Sequence, residues 1–209
     1  WSLHTKLTLI GTVCLLVIGF ALFLWFEADN PATLGPMPIA SKLLNAAFAS
    51  VSARTAGFNT VDVAAFTQET WALHYPLMFI GGGSAGTAGG VKVATVFILL
   101  LLVYSEIRGK PDNEAFGRRI ANSAQRQAIT VLVLGGALVT ISTMVLLRIT
   151  SFSTDQVIFE VVSAFATVGL STGITPELPP AGQLLLTLLM YAGRVGIITL
   201  AAALVIGQR

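Results

Sequence analysis

The stretch Thr55-Ala56-Gly57-Phe58-Asn59-Thr60 is repeated 112 positions later as Thr167-Val168-Gly169-Leu170-Ser171-Thr172. Each copy places a glycine among small polar residues inside an apolar sequence. Such residues favour turns over helices, so we predict an extended loop for each copy. Backbone outside a helix persists at membrane depth only where protein or an aqueous cavity satisfies its amide groups. The duplication therefore predicts a polar cavity that two loops share, as in a membrane pore.

Composition places the chain in a membrane. Of its 209 residues, 55% are hydrophobic and 11% are charged, and the mean hydropathy is +0.82. Soluble domains carry about 25% charged residues. We therefore predict a multi-pass protein of the cell membrane, with the lipid bilayer as a partner. The net charge of +2 is small and the basic residues are scattered, so no nucleic-acid partner is expected.

Four apolar segments are long enough to cross a bilayer, which takes about 20 helical residues. They cover residues 7–26, 70–103, 127–149 and 182–207. A shorter apolar segment leads into each loop, at 41–54 and 155–166, and we predict that each is a re-entrant half-helix.

The order helix, half-helix, loop, helix thus occurs twice. We predict an all-α membrane fold of two parallel helix–pore-loop–helix repeats, each with an even number of crossings. The expected divisions are a repeat at 1–103, a cytoplasmic connector at 104–126 and a second repeat at 127–209.

Charges predict the orientation. The connector is basic, which places it in the cytoplasm by the positive-inside rule. The opposite side carries Glu27, Asp29, Asp62, Glu69, Asp155 and Glu177. These acids either form a vestibule that concentrates cations or are ordinary solvated loop residues.

The two loops have the chemistry of an ion filter. Backbone carbonyls can replace the water shell of an alkali cation, and glycine allows the backbone to turn them toward one axis. The candidate K⁺ ligands are Thr55, Ala56, Gly57, Phe58, Asn59, Thr167, Val168, Gly169, Leu170 and Ser171. The alternative is that each loop is an ordinary turn at a helix end.

A glycine-rich segment interrupts the second long apolar stretch. Six glycines lie between positions 81 and 90, and holding them in a helix would cost on the order of 5 kcal/mol relative to alanine. We predict an unwound loop that acts as a gate, formed by Gly81, Gly82, Gly83, Ser84, Gly86, Thr87, Gly89 and Gly90, with Arg194 facing it. Alternatives are close helix packing through small residues and, much less favoured, a dinucleotide-binding glycine motif.

Several intramembrane polar residues need partners. Arg194 lies within the last apolar segment and either closes the gate or merely ties two helices together. Arg54 and Glu160 are candidates to brace the two filter loops, although Glu160 could equally be satisfied internally. His4 and His74 show no metal-ligand spacing and are interpreted as interfacial residues.

Four motifs together resemble the Trk/Ktr/HKT superfamily of potassium transporters, with KtrB-type membrane subunits as the most similar group. They are residues 52–62, 79–92, 166–176 and 193–196. In that superfamily four such repeats surround one potassium filter, and this chain resembles the third and fourth.

The resemblance implies several partners and ions. It implies K⁺ as the transported ion, Na⁺ as a candidate activator, and the first two repeats as the N-terminal half of the same subunit. It also implies a homodimer seated on a cytoplasmic nucleotide-binding regulatory ring. We expect either a part of a longer subunit or two chains that assemble one pore.

Two other classes of function fit less well. A secondary transporter with broken helices would be expected to have inverted repeats and a coupling carboxylate at the break. An intramembrane hydrolase would need a catalytic constellation, and no Ser/His/Asp, paired-Asp or His-Glu arrangement lies within the spans. The sequence therefore predicts a channel or transporter and not an enzyme.

Overall fold

The structure, a computed structural model, describes residues 2–83, 88–109, 114–115 and 118–196, with the backbone alone at 114–115 and 118–119. Apart from two short strands, the regular secondary structure of these residues is helical. The helices are α1 (Leu3–Glu27), α2 (Ile39–Ser52), α3 (Gln68–Phe79), α4 (Val93–Ile107), α5 (Asn122–Ile149), α6 (Thr154–Phe165) and α7 (Pro180–Val195). Two-residue strands β1 (Glu114–Ala115) and β2 (Arg118–Arg119) pair between α4 and α5.

Within the described part of the chain, two helices are long and apolar enough to cross a membrane. α1 has 25 residues and α5 has 28, which at 1.5 Å per residue gives lengths of about 38 and 42 Å. Both exceed the hydrocarbon thickness of about 30 Å. They coincide with the first and third predicted spans.

The two predicted half-helices are present as α2 and α6. Residues that favour helix starts precede both: Pro38 before α2, and Ser153 before α6. Ser153 forms a capping box with Gln156, in which each side chain bonds the other residue's backbone N–H. At 14 and 12 residues, α2 and α6 are too short to span a bilayer.

The second predicted span is broken, as expected. α3 ends at Phe79 and α4 begins at Val93, and the described residues between them are not helical. The last predicted span, 182–207, contains a helix end that was not predicted. α7 ends at Val195 because Gly196 has φ of 89°, which a helix cannot accommodate, and residues 197–209 lie outside the described part of the chain.

Helix α6 lies between the two halves of the chain. On one side it packs with α3, where the ring of Phe159 joins a core that also contains Phe23 and Met78. On its other side it packs with α5 and α7, around Val161 and Leu189. Eight of its 12 residues are buried.

Helix α2 packs mainly on α1 and leaves an apolar face uncovered. The exposed side chains of that face are Ile39, Leu43, Leu44, Phe48 and Val51. The two short helices therefore have the same place in the chain order but different surroundings.

Direct contacts join the halves along α3 and α6. The rings of Phe79 and Phe165 stack with centroids 5.6 Å apart. Near the other end, the hydroxyl of Tyr75 donates to the backbone oxygen of Asp155 at 3.2 Å. These contacts fix the relative position of the loops that follow α2 and α6.

Candidate functional site

Both glycine-centred loops adopt the same unusual backbone conformation. In the first loop (residues 55–60), Thr55 and Gly57 have φ of 69° and 75°. In the second loop (residues 167–172), Thr167 and Gly169 have φ of 52° and 97°. Positive φ is strained for a β-branched residue, and among described non-glycine residues only these two threonines adopt it. Equivalent positions thus carry equivalent strain.

A serine at the end of each short helix holds the loop that follows. The hydroxyl of Ser52 donates to the carbonyl oxygen of Phe58, and that of Ser163 donates to the carbonyl oxygen of Leu170 at 2.6 Å. Phe58 and Leu170 each follow the loop glycine directly. The carbonyl oxygens of these two predicted ion ligands therefore each already accept one serine hydroxyl.

The two loops touch backbone to backbone. A Cβ atom added to Gly57 would overlap the carbonyl oxygen of Val168 and lie 3.1 Å from the Cα of Gly169. A Cβ added to Gly169 would lie 3.4 Å from the Cα of Gly57. The structure therefore brings the centres of the predicted pair together, and only glycine fits at position 57.

One edge of the joined loops is open. Ala56, Phe58, Asn59, Thr60 and Gly169 are exposed, and Phe58 has 70% of its surface accessible. Val168 and Leu170 are buried instead. A cavity of about 550 Å³ adjoins the second loop, between Thr167 and Gly169 on one side and Leu186 and Met190 of α7 on the other.

A buried carboxylate lies beside the second loop. Glu160 of α6 is 4% exposed, and its oxygens accept hydrogen bonds from Ser171, Thr172 and Thr175. Glu160 is thus hydrogen-bonded internally, and its partners belong to the second loop and the residues that follow it. It forms no pair with Arg54, whose guanidinium bonds the carbonyl oxygens of Thr12 and Gly81 at 3.3 Å each.

The glycine segment (residues 81–90) is closed at its ends by backbone hydrogen bonds. The amide of Gly81 donates to Val91 at 2.8 Å, and the amide of Val91 donates to Phe79 at 3.0 Å. A third bond runs from Val93 to Gly82 at 3.2 Å. Of the predicted gate residues, Ser84, Gly86 and Thr87 lie outside the described part of the chain.

The returning limb of the glycine segment lies against the second loop. A Cβ on Gly89 would be 2.7 Å from the carbonyl oxygen of Ala166 and would overlap the hydroxyl of Thr167. That hydroxyl is buried and has no hydrogen-bond partner in the structure. The segment and the second loop therefore share a surface with no space for a side chain.

Lys92 is a cation that contacts the glycine segment. Lys92 donates from Nζ to the carbonyl oxygen of Ala88, four residues earlier. Arg194, exposed in the last turn of α7, is close enough to Lys92 for the two charges to repel. A cavity of about 330 Å³ is lined by Lys92, Gly90, His4, Gln127 and Gly193.

Glu27 does not belong to an acidic vestibule. It is fully buried, and its carboxylate accepts from Asn30 at 2.6 Å, from Thr33, and from the Thr67 amide at 2.9 Å. Burial requires such partners, which the loops before α2 and α3 supply. Exposed acids on this side are Asp29, Asp62, Glu69 and Glu177.

His74 is also not interfacial. It is 2% exposed, its Nδ1 lies 2.8 Å from the Thr70 carbonyl oxygen, and its ring packs with Phe23, Phe66 and Phe159. Among described residues, no three His, Cys, Asp or Glu side chains are placed to hold a metal ion.

Sequence reasoning missed the supporting residues around the loops. Ser52 and Ser163 were not singled out, although a serine precedes each loop glycine by five or six positions. Glu27 was assigned to the wrong environment, although Asn30 and Thr33 follow it at three-residue intervals. Both signals are visible in the sequence but weak without the three-dimensional contacts.

Comparison with known proteins identifies the family. The model of the TrkH family, described as "Cation transport protein", matches residues 2–208. The chain is 40% identical to Ktr system potassium uptake protein B of Vibrio alginolyticus over 95% of its length, and 40% identical to potassium/sodium uptake protein NtpJ of Enterococcus hirae over 98%.

The chain spans less than half the length of these relatives, 44% and 46% respectively. Its fold is similar to that of the potassium transporter TrkH from Vibrio parahaemolyticus, with a TM-score of 0.76 and 19% identity over 96% of this chain and 44% of that one. The matched family and the relatives are ion transporters and not enzymes. The chain therefore belongs to the TrkH family of cation transport proteins.

Proposed function

We propose that this chain forms half of a membrane pore that conducts K⁺ through backbone-carbonyl sites. The observation that carries the proposal is the contact between Gly57 and Gly169, which brings two loops of the same conformation together. A filter needs oxygens that compensate for lost hydration and yet release the ion. The naming of relatives as potassium uptake proteins supports K⁺ as the ion.

The proposed ligands are carbonyl and hydroxyl oxygens of both loops. Because the carbonyls of Phe58 and Leu170 face serines, we assign the main role to the residues before and at each glycine. These are Thr55, Ala56, Gly57, Thr167, Val168 and Gly169, with Asn59 and Ser171 at the outer ends. K⁺ would pass as cargo down its electrochemical gradient.

The other half of the pore is proposed to be two further repeats, supplied by an N-terminal half of the same subunit. Two features support this. First, the relatives are more than twice as long as this chain. Second, the uncovered face of α2 and the side chain of Phe58 expose apolar surface beside the loops. By family resemblance we further propose a homodimer in the cell membrane, seated on a nucleotide-binding regulatory ring.

We propose that the glycine segment is the gate below this filter. Its contact through Gly89 with Ala166 and Thr167 supports the assignment, since a shift of the segment would reach the second loop directly. The positive charge of Arg194 would repel cations in the pore while the glycine segment is closed. Na⁺ is retained as a proposed activator, in line with the potassium/sodium uptake protein among the relatives.

Exchange of the loop glycines tests the filter. The complete protein is expressed in a host that lacks potassium uptake, and Rb⁺ uptake is measured with competing K⁺ or Na⁺. Gly57→Ser and Gly169→Ser are expected to lower discrimination against Na⁺. Gly109→Ser is the matched control, because Gly109 also has positive φ, 62°, but has nothing within 4 Å of an added Cβ.

Unchanged discrimination in both loop variants, with normal amounts of protein in the membrane, would contradict the filter assignment. Equal loss of discrimination in Gly109→Ser would mean that backbone strain alone explains the effect.

A further inference from the structure

We propose that Glu160 is a positioning residue that fixes the outer end of the second loop and thereby sets ion discrimination at that loop. The proposal rests on the proposed function, since it concerns the same filter. Glu160 is separated from Gly169 by nine positions, lies in α6, and lines the cavity of about 550 Å³ that adjoins the second loop.

Four hydrogen bonds converge on this one carboxylate. Oε1 accepts from the Ser171 hydroxyl at 2.7 Å, the Thr172 amide at 2.7 Å and the Thr172 hydroxyl at 3.0 Å. Oε2 accepts from the Thr175 hydroxyl at 2.6 Å. Hydrogen bonds to an ionised acceptor are about twice as strong as neutral ones. Residues 171–175 are therefore tied to α6 by a single side chain.

The first loop has no such anchor. The residue 112 positions before Glu160 is Phe48, an exposed side chain on α2. No carboxylate hydrogen-bonds to residues 55–60 in the part of the chain that the structure describes, and Asn59 instead bonds the nearby carbonyl oxygen of Val61 at 3.1 Å. The two loops thus share one backbone conformation but differ in how firmly their outer ends are held.

This difference has a consequence for selectivity. A carbonyl site distinguishes K⁺ from Na⁺ only while its oxygens resist contraction around the smaller ion or keep their number. Anchoring at Ser171 and Thr172 restrains the loop directly after Gly169 and Leu170.

A purely structural role is the competing explanation, and Glu27 provides the comparison. Glu27 is also a buried carboxylate with several hydrogen bonds to threonine and asparagine, but it holds the loops that precede α2 and α3. Loss of either charge should lower the stability of the protein. Only Glu160 should affect ion discrimination.

The test compares Glu160→Gln with Glu27→Gln in the complete protein, by Rb⁺ uptake in competition with Na⁺ and by thermal melting in detergent. Glu160→Gln is expected to lower K⁺-over-Na⁺ discrimination about tenfold, equal to about 1.4 kcal/mol. The change should appear mainly in the half-saturation concentration of uptake and less in its maximal rate. Glu160→Asp should restore part of it. Glu27→Gln should melt earlier with unchanged discrimination.

Thr175→Val and Ser171→Ala each remove one donor and are milder variants, each expected to reduce discrimination by a smaller factor. Because Ser171 is also a proposed ion ligand, Thr175→Val is the variant that isolates the anchor in case Glu160→Gln does not fold. Unchanged discrimination in Glu160→Gln, or in both milder variants, would overturn the proposal while leaving the filter assignment intact if Gly169→Ser still alters discrimination. Unchanged discrimination in the glycine variants as well would instead remove the proposed function.

Discussion

Gly193 of α7 lies against the carbonyl oxygen of Phe165, the last residue of α6, so closely that a Cβ atom at position 193 would overlap that oxygen. Phe165 precedes Thr167 of the second loop by only two residues. The last turns of α6 and α7 are therefore joined through backbone, without an intervening side chain. Glycine at this position is a packing requirement and leaves the end of α6 no freedom to shift.

The first prediction concerns that contact. Gly193→Ala should force α6 and α7 apart and cost about 1–3 kcal/mol, the usual effect of overpacking, with reduced Rb⁺ uptake because the second loop moves with α6. Gly136→Ala is the matched control, since Gly136 is also helical but has nothing within 4 Å of an added Cβ. We expect no loss of stability there. Equal melting temperatures for the two variants would contradict the packing argument.

The second prediction concerns the hydrogen bond that joins the two halves. Tyr75→Phe removes the donation to Asp155 and should lower stability by about 0.5–1.5 kcal/mol, because the backbone acceptor at 3.2 Å loses its partner. Thermal melting measures the change. Tyr191→Phe serves as the control, since Tyr191 is 60% exposed. If Tyr75→Phe has the same melting temperature as the unmodified protein, the hydroxyl contributes nothing to the contact between the two halves.

The third prediction concerns the link between Arg54 and the glycine segment. Arg54→Met removes two hydrogen bonds, to Thr12 and Gly81, and keeps most of the apolar stem. We expect faster amide hydrogen exchange at the start of the glycine segment, because Gly81 loses its tie to α1. Exchange measured by mass spectrometry on peptides that cover residues 77–83 tests this. Arg148→Met, at an exposed residue, is the control. Unaltered exchange would exclude Arg54 as a restraint.

The fourth prediction concerns the gate. Neutralising the charge in Arg194→Gln, or deleting Ala85 and Gly86, should raise the rate of Rb⁺ uptake. Lowering the barrier by about 1 kcal/mol would accelerate uptake about fivefold. Arg148→Gln is the matched control for loss of a positive charge. If uptake kinetics stay unaltered in both variants while the protein reaches the membrane, the glycine segment is not the gate.

Local composition was sufficient to predict the helices. Long apolar runs produced α1 and α5, shorter ones produced α2 and α6, and the cost of six helical glycines predicted the break between α3 and α4. The two loops were predicted because they repeat the same residues at one spacing. Each of these properties depends on neighbours in the chain, and the sequence contains them directly. The end of α7 at Val195 was not predicted, because a single glycine, Gly196, is a weak signal in an apolar run.

Contacts between residues that lie far apart in the sequence could be identified only from the tertiary structure. Glu27 and Glu160 read alike in the sequence as acids beside apolar segments, and packing made both of them buried anchors, for different loops. Arg54 contacts the glycine segment because the fold places its guanidinium between Thr12 of α1 and Gly81, and it bonds the carbonyl oxygen of each. The close backbone contact between Gly57 and Val168 likewise follows from how α3 packs on α6. Burial and hydrogen bonding of a polar side chain are set by residues tens of positions away, so no local pattern specifies them.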